Sequence, residues 1–216
     1  MAYLKGCPAL PRIIDIKGNL ELHTWTDASY ALHCYMKGHT GGITSVGRGA
    51  VIHNCSKQKL NTKSSTESEV VGVSDYLPHT MWAKYFLEAQ GYHLARNVFY
   101  QDNTSAIKMI TNGRKSCSGK SRHIHIRYFF TKDVIKRENM EVRYCPTKEM
   151  IADFYTKPLQ GRQFYTLRNK IMGVEDTSLA KECVDNDGEE QKQEMNKITT
   201  RVTSNHITHV VVKLTC

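Results

Sequence analysis

No hydrophobic run in the 216 residues approaches the twenty or so that a membrane-spanning helix needs, so no membrane partner is expected. There is no CxxC pair either. The seven cysteines are scattered and odd in number, which suits reduced intracellular thiols better than a disulfide framework. The first residues lack a signal-peptide pattern, because Lys5, Pro8 and Pro11 interrupt it, and an intracellular rather than secreted protein is expected. Proline is scarce, at five residues against fourteen glycines. With 40% hydrophobic residues, this excludes a largely disordered chain and leaves enough for one good-sized core.

Acidic residues are also in short supply, and unevenly so. The formal net charge is +9, but residues 175–216 hold five Lys/Arg against eight Asp/Glu, leaving 25 against 13 in residues 1–174. The body is therefore +12 and the tail −3. A basic folded body points to a polyanionic partner, most simply nucleic acid. Three segments are expected: a lead-in over 1–19, a domain over 20–174 and an acidic, unstructured tail over 175–216.

Within the domain, Leu22 to Tyr30 alternates apolar and polar residues and reads as a strand with one buried face. Lys37 to Gly42 reads as a turn, followed by two short strands at Ile43–Val46 and Ala50–Asn54, giving an antiparallel meander. Ser64 with Glu67, and Thr66 with Glu69, fit the capping-box spacing at a helix start. Pro78 is expected to break that helix, with a second piece from Met81 to Gln90. A strand at 97–101, a helix at 104–111, a basic loop at 112–122 and a helix over 125–137 come next. Ile126, Phe129, Phe130 and Val134 are placed on the apolar side of that last helix. A strand at 141–144, a short helix around Asp153 and a helix over 159–172 complete the order. A meander followed by alternating helices and strands predicts an α/β fold with a mixed five-stranded sheet.

Against that order the acids stand out. Asp27 lies on the first strand with no basic neighbour, and a carboxylate buried there demands a positive partner. Glu69 sits near the start of the first helix, Asp102 at the end of the fourth strand, Asp153 on a late helix. Four carboxylates converging at one end of the sheet would repel one another and call for divalent cations with oxygen ligands, Mg²⁺ first. Two such ions are a known device for phosphodiester hydrolysis. Glu67 and Glu69 point to different helix faces, and Glu69 shares its stripe with Val73 and Leu77. Arg114, Lys115, Lys120, Arg122 and Arg127 form a basic patch suited to a phosphate backbone. Cys117, His123 and His125 match no zinc spacing.

The motifs Thr26-Asp27-Ala28, Ser65-Thr66-Glu67-Ser68-Glu69, Gln101-Asp102-Asn103-Thr104-Ser105-Ala106, Ser121-Arg122-His123-Ile124 and Ile151-Ala152-Asp153-Phe154-Tyr155-Thr156-Lys157-Pro158-Leu159 occur in this order. Together they resemble the RNase H domain of Ty1/copia-type retrotransposon polyproteins, from about Tyr3 to Gly173. The resemblance implies an RNase H-like fold and an Asp-Glu-Asp-Asp site of Asp27, Glu69, Asp102 and Asp153 holding two Mg²⁺ ions, with Mn²⁺ as a substitute. It implies endonucleolytic hydrolysis of the RNA strand of an RNA–DNA hybrid, with Asp27 bridging the ions and His123 in a hybrid-contacting or structural role. It further implies a polymerase domain upstream in a parent polyprotein, acting in a cytoplasmic virus-like particle or the nucleus.

The resemblance has departures. Tyr144, Cys145 and Pro146 occupy the region where cellular RNases H carry a product-release histidine. No Asp-Asp polymerase motif and no CCHC or HHCC zinc module is present, so the chain is expected to be the terminal piece of such a polyprotein. The alternative is an inactive or domesticated fragment that binds nucleic acid without cutting it. An integrase of the same superfamily would need an Asp-Asp-Glu set that Asp133 and Glu138 do not readily supply.

Overall fold

In the computed structural model, residues 10–16, 18–112 and 125–174 are described, with side chains in the last stretch from residue 130. The segment around Asp27 is the middle strand of a five-stranded sheet. This strand, β1 (Glu21–His33), pairs antiparallel with β2 (Lys37–Ser45), and β2 pairs antiparallel with β3 (Ala50–Lys57). On its other side β1 takes β4 (Arg96–Gln101) in parallel, and β4 takes β5 (Glu141–Tyr144) in parallel. Parallel neighbours need long crossovers. Helix α1 (Ser65–Ala89) makes the first, and α2 (Thr104–Asn112) with α3 (His125–Arg137) makes the second. The resulting order, β3-β2-β1-β4-β5, is the mixed, RNase H-like arrangement expected.

The sheet is covered on both faces. On one, Val70, Val73 and Leu77 of α1 pack with Phe99, Ala106, Ile110 and Val134. On the other, Ile43 packs with Met150, Ala152, Leu167 and Ile171, the last two from α4 (Gly161–Met172). Alternation along β1 sends Thr24 to the α1 face, where its hydroxyl meets that of Thr80 at 3.2 Å. Trp25 goes to the opposite face and stacks on Tyr100 with centroids 4.9 Å apart. Asp27 shares the parity of Trp25.

Several local expectations need correction. Lys37 to Gly42 is not a turn but the first part of β2. The chain reverses earlier, at Cys34–Met36, where Tyr35 and Met36 take φ of 63° and 57°. The glycines that suggested a turn are there because both faces are crowded. A Cβ on Gly42 would enter the Tyr76 ring, and one on Gly41 would come within 2.8 Å of Tyr155 and Thr156.

Helix α1 also runs through Pro78 without a break. An interior proline costs a helix ~3 kcal/mol. Burial of Tyr76 and Leu77 before it and Ala83 after it offsets that, at about 1.5–3 kcal/mol for each large apolar side chain. The short helix expected around Asp153 is instead a pair of 3-10 turns, Thr147–Glu149 and Ile151–Tyr155. Phe130 is 42% exposed, whereas Val134 is fully buried.

Ahead of β1, the Ile13 N–H donates to the Met172 carbonyl at 2.8 Å and the Asp15 carbonyl accepts from the Arg48 N–H at 3.0 Å. Gly173 closes α4 in the left-handed region at φ 70°, where a Cβ would strike the Ile13 carbonyl. No described helix is long and apolar enough to cross a membrane.

Candidate active site

Three elements deliver one carboxylate each to the same rim of the sheet. Asp27 comes from β1 and is 3% exposed. Glu69 comes from the start of α1, where the cap sorts it from its neighbour. The Ser64 hydroxyl accepts from the Glu67 N–H at 3.2 Å, and the Glu67 carboxylate accepts from the Lys63 N–H at 2.7 Å. Glu67 is thereby held at the helix end, while Glu69, two residues on, turns toward β1. Asp102 follows the last residue of β4, and Asn103 next to it caps α2 by accepting from the Ser105 and Ala106 N–H groups at 3.0 Å each. Asp27, Glu69 and Asp102 each offer an oxygen, and these oxygens lie within 4.8 Å of one another. They face an open cleft that Ser65, Asn103 and Lys157 also line.

Asp153 stands beside this trio rather than in it. It sits on the Ile151–Tyr155 turn, 1% exposed. Lys157, one turn on, places its Nζ 2.7 Å from Asp153 Oδ1 and 3.9 Å from Asp27 Oδ1.

The charges are poorly compensated. Burial raises the Asp27 carboxyl above its usual range, against a hydrogen bond from the Thr156 hydroxyl and the field of Lys157. Burial pushes Glu69 well up, and the Asp27 and Asp102 charges push it further, with only the Gln101 amide and the Ala28 N–H opposing. Burial also lifts Asp153 to about 6, although Lys157 pulls it down. Buried carboxylates that lift one another in this way are short of positive charge. A donor set of hard oxygens at mutual distances under 4.8 Å fits a divalent ion of the Mg²⁺ or Mn²⁺ type, which Asp27, Glu69 and Asp102 would hold.

Sequence reasoning assigned no role to the groups that fix these acids. Gln101 is fully buried. Its Oε1 accepts from the Asp102 and Asn103 N–H groups at 2.8 and 3.1 Å, and its Nε2 donates to Glu69 Oε2 at 3.3 Å. One side chain thus sets the positions of two acids. Thr147 donates to Asp102 Oδ2 at 3.0 Å, and Thr156 donates to Asp27. Gln101, Thr156 and Lys157 all lie inside motifs already singled out. The distant partners of Gln101 and Thr156, Glu69 at 32 and Asp27 at 129 residues away, leave no mark in the local spacing.

Arg114, Lys115, Lys120, Arg122 and His123 lie outside the described residues, as does the side chain of Arg127. The same holds for the first nine residues and for the tail from 175.

No family model matches the chain. It is 29% identical over 138 residues to the Retrovirus-related Pol polyprotein from transposon TNT 1-94 of Nicotiana tabacum, a match covering 64% of this chain and 10% of that one. It is 29% identical over 173 residues to the corresponding polyprotein from transposon RE1 of Arabidopsis thaliana, covering 79% and 12%. The Transposon Ty1-JR2 Gag-Pol polyprotein of Saccharomyces cerevisiae is 26% identical over 155 residues, covering 72% and 9%. The chain thus spans about a tenth of the length of these curated relatives.

Among solved structures, RNase H1 from Halobacterium salinarum NRC-1 superposes with a TM-score of 0.41 at 11% identity, covering 59% of this chain and 86% of that one. LC11-RNase H1 in complex with RNA/DNA hybrid superposes at 0.45 and 7%, covering 60% and 88%. By sequence the chain is similar to retrotransposon Pol polyproteins of two plants and a yeast, and its strand order is the one expected for an RNase H-like sheet.

Proposed function

We propose that this chain is a metal-dependent endonuclease that hydrolyses the RNA strand of RNA–DNA hybrids. The observation that carries the reading is the meeting of Asp27, Glu69 and Asp102 within 4.8 Å, two of them more than nine-tenths buried. A carboxylate cluster of that kind inside a basic body suits a site that holds cations with acids and phosphates with bases.

Each residue has a part. Asp27, Glu69 and Asp102 would hold one divalent ion, and Asp27 with Asp153 a second. Such ions, when bound, supply a nucleophilic water and neutralise the phosphodiester's developing charge. Gln101 keeps Glu69 and Asp102 in register, and Thr156 fixes the rotamer of Asp27. The open cleft admits a backbone phosphate, and the basic residues of 114–127 would grip the duplex away from the reacting bond. A polymerase domain upstream in a parent polyprotein would deliver the hybrid, within a cytoplasmic particle or the nucleus.

The test is cleavage of labelled RNA in an RNA–DNA hybrid by purified protein. With Mg²⁺ the wild type should cut within the RNA strand, chelation should stop it, and D27N should be inactive. Binding of the hybrid with no cleavage in any divalent metal would replace this reading with that of a non-cutting nucleic-acid-binding module.

A further inference from the structure

Lys157 is the basic side chain in ion-pair contact with these acids, and its place relative to them is unusual. Its ammonium lies 2.7 Å from Asp153 and 3.9 Å from Asp27, between one acid of the trio and the acid that stands beside it. It is 38% exposed, so it has a path out to solvent, whereas Asp153 and Asp27 are 1% and 4% exposed as side chains and have none. Four residues separate Lys157 from Asp153, the spacing that puts both on one side of a helical turn. The backbone supports this: the Lys157 N–H donates to the Asp153 carbonyl at 2.9 Å. On the other side, Asp27, Glu69 and Asp102 meet one another with no lysine or arginine on Glu69 or Asp102 in the ion pairs of the described residues.

We propose that Lys157 is a resident counter-cation that occupies the Asp153 side of the site in place of a second metal ion. The protein alone then takes one divalent ion, at Asp27, Glu69 and Asp102, while a second ion at Asp27 and Asp153 must first displace the ammonium. Physically, an ammonium and a divalent cation cannot both sit within 3–4 Å of the same two oxygens without strong repulsion. Lys157 therefore holds two buried carboxylates in place when metal is scarce, and it sets the metal concentration at which the site fills. A lysine suits the task better than an arginine would. Its point charge sits on a flexible stem and holds the pair by one contact rather than a bidentate fork. The phosphate of an incoming nucleic-acid backbone offers the displaced ammonium a new partner, which couples release of Lys157 to arrival of substrate.

This inference rests on the metal-dependent reading above, and its test needs no cleavage. Mn²⁺ binding is followed by calorimetry and by the spin resonance of free Mn²⁺ in wild type, K157Q and K157R, with D153N as the variant lacking the contested ligand. Wild type should bind one ion firmly. K157Q should bind a second at least about tenfold more tightly than wild type does, and K157R, which keeps the charge, should follow wild type. Second-site affinity in K157Q equal to or weaker than that of wild type overturns the proposal.

Thermal melting supplies the control for a merely structural lysine. K157Q should melt below wild type in chelator, and the gap should close or reverse in saturating Mn²⁺. A gap of the same size in both conditions, or a variant that folds in neither, shows that Lys157 only anchors the turn and overturns the proposal. An enzyme that cuts no hybrid yet shows the K157Q changes would fail the functional reading and leave this one standing.

Discussion

Glu138 and Glu69 are both 7% exposed, yet the protein treats them in opposite ways. Glu138, just past the end of α3, accepts from Lys84 Nζ at 2.8 Å, the Tyr85 hydroxyl at 2.5 Å and Arg137 Nε at 3.0 Å. Burial works against its ionisation, but these three donors outweigh burial and bring its pKa down to about 2. Glu69 has an amide at 3.3 Å and two carboxylates for company, and its pKa goes well up. At equal exposure, Glu69 is the more desolvated and has the poorer partners, and both differences push the same way. The first glutamate is a strut between α1 and α3, complete within the protein. The second belongs to a group whose missing charge has to come from outside.

The comparison can be broken at either end. The largest effect should come from Asp27, the acid common to both proposed ion sites. D27N should lower hybrid cleavage by about three orders of magnitude or more, ~4 kcal/mol of transition-state stabilisation, with the fold retained by circular dichroism. Next is the contrast in stability. E138A takes from Lys84, Tyr85 and Arg137 the carboxylate they share and should cost about 3 kcal/mol by urea denaturation. E69Q, which removes a charge the metal-free protein holds unwillingly, should leave stability unchanged or raise it. If both variants lost the same amount, the distinction between strut and ligand would fail. A smaller effect is expected at Gln101. Q101L keeps the volume but releases Glu69 and Asp102, and should weaken Mn²⁺ binding roughly 10–100-fold, in the range typical of groups that orient metal ligands.

Much of the architecture was legible because it rests on local patterns. The alternation from Leu22 to Tyr30 marked β1, and the Ser64–Glu67 spacing marked the start of α1. The apolar stripe through Val73 and Leu77 marked the face of α1 that packs on the sheet. Where local rules misled, tertiary contacts had overridden them. Gly41 and Gly42 read as a turn because a single chain does not reveal the Tyr76 ring on one side and Tyr155 on the other. Pro78 read as a break because its cost is local while the burial that offsets it is not.

The candidate site was legible in part. Its acids were marked by order and by the motifs around them. That Asp153 stands apart behind Lys157, and that Gln101 joins Glu69 to Asp102, depends on contacts across the whole domain.

The central claim is that these acids are gathered to hold a divalent cation. The most direct test is the melting temperature of wild type and D27N, with chelator and with excess Mg²⁺, from pH 5 to pH 8. Asp153, at about 6, and the raised Asp27 and Glu69 favour the protonated form in the folded state. In chelator, the stability these three acids contribute is present at low pH and should be lost as pH rises through about 6. Mg²⁺ binds the ionised acids, so its stabilisation of wild type should grow over the same interval and be absent from D27N. A melting temperature that ignores Mg²⁺ at every pH, or that responds equally in the two proteins, would contradict the account.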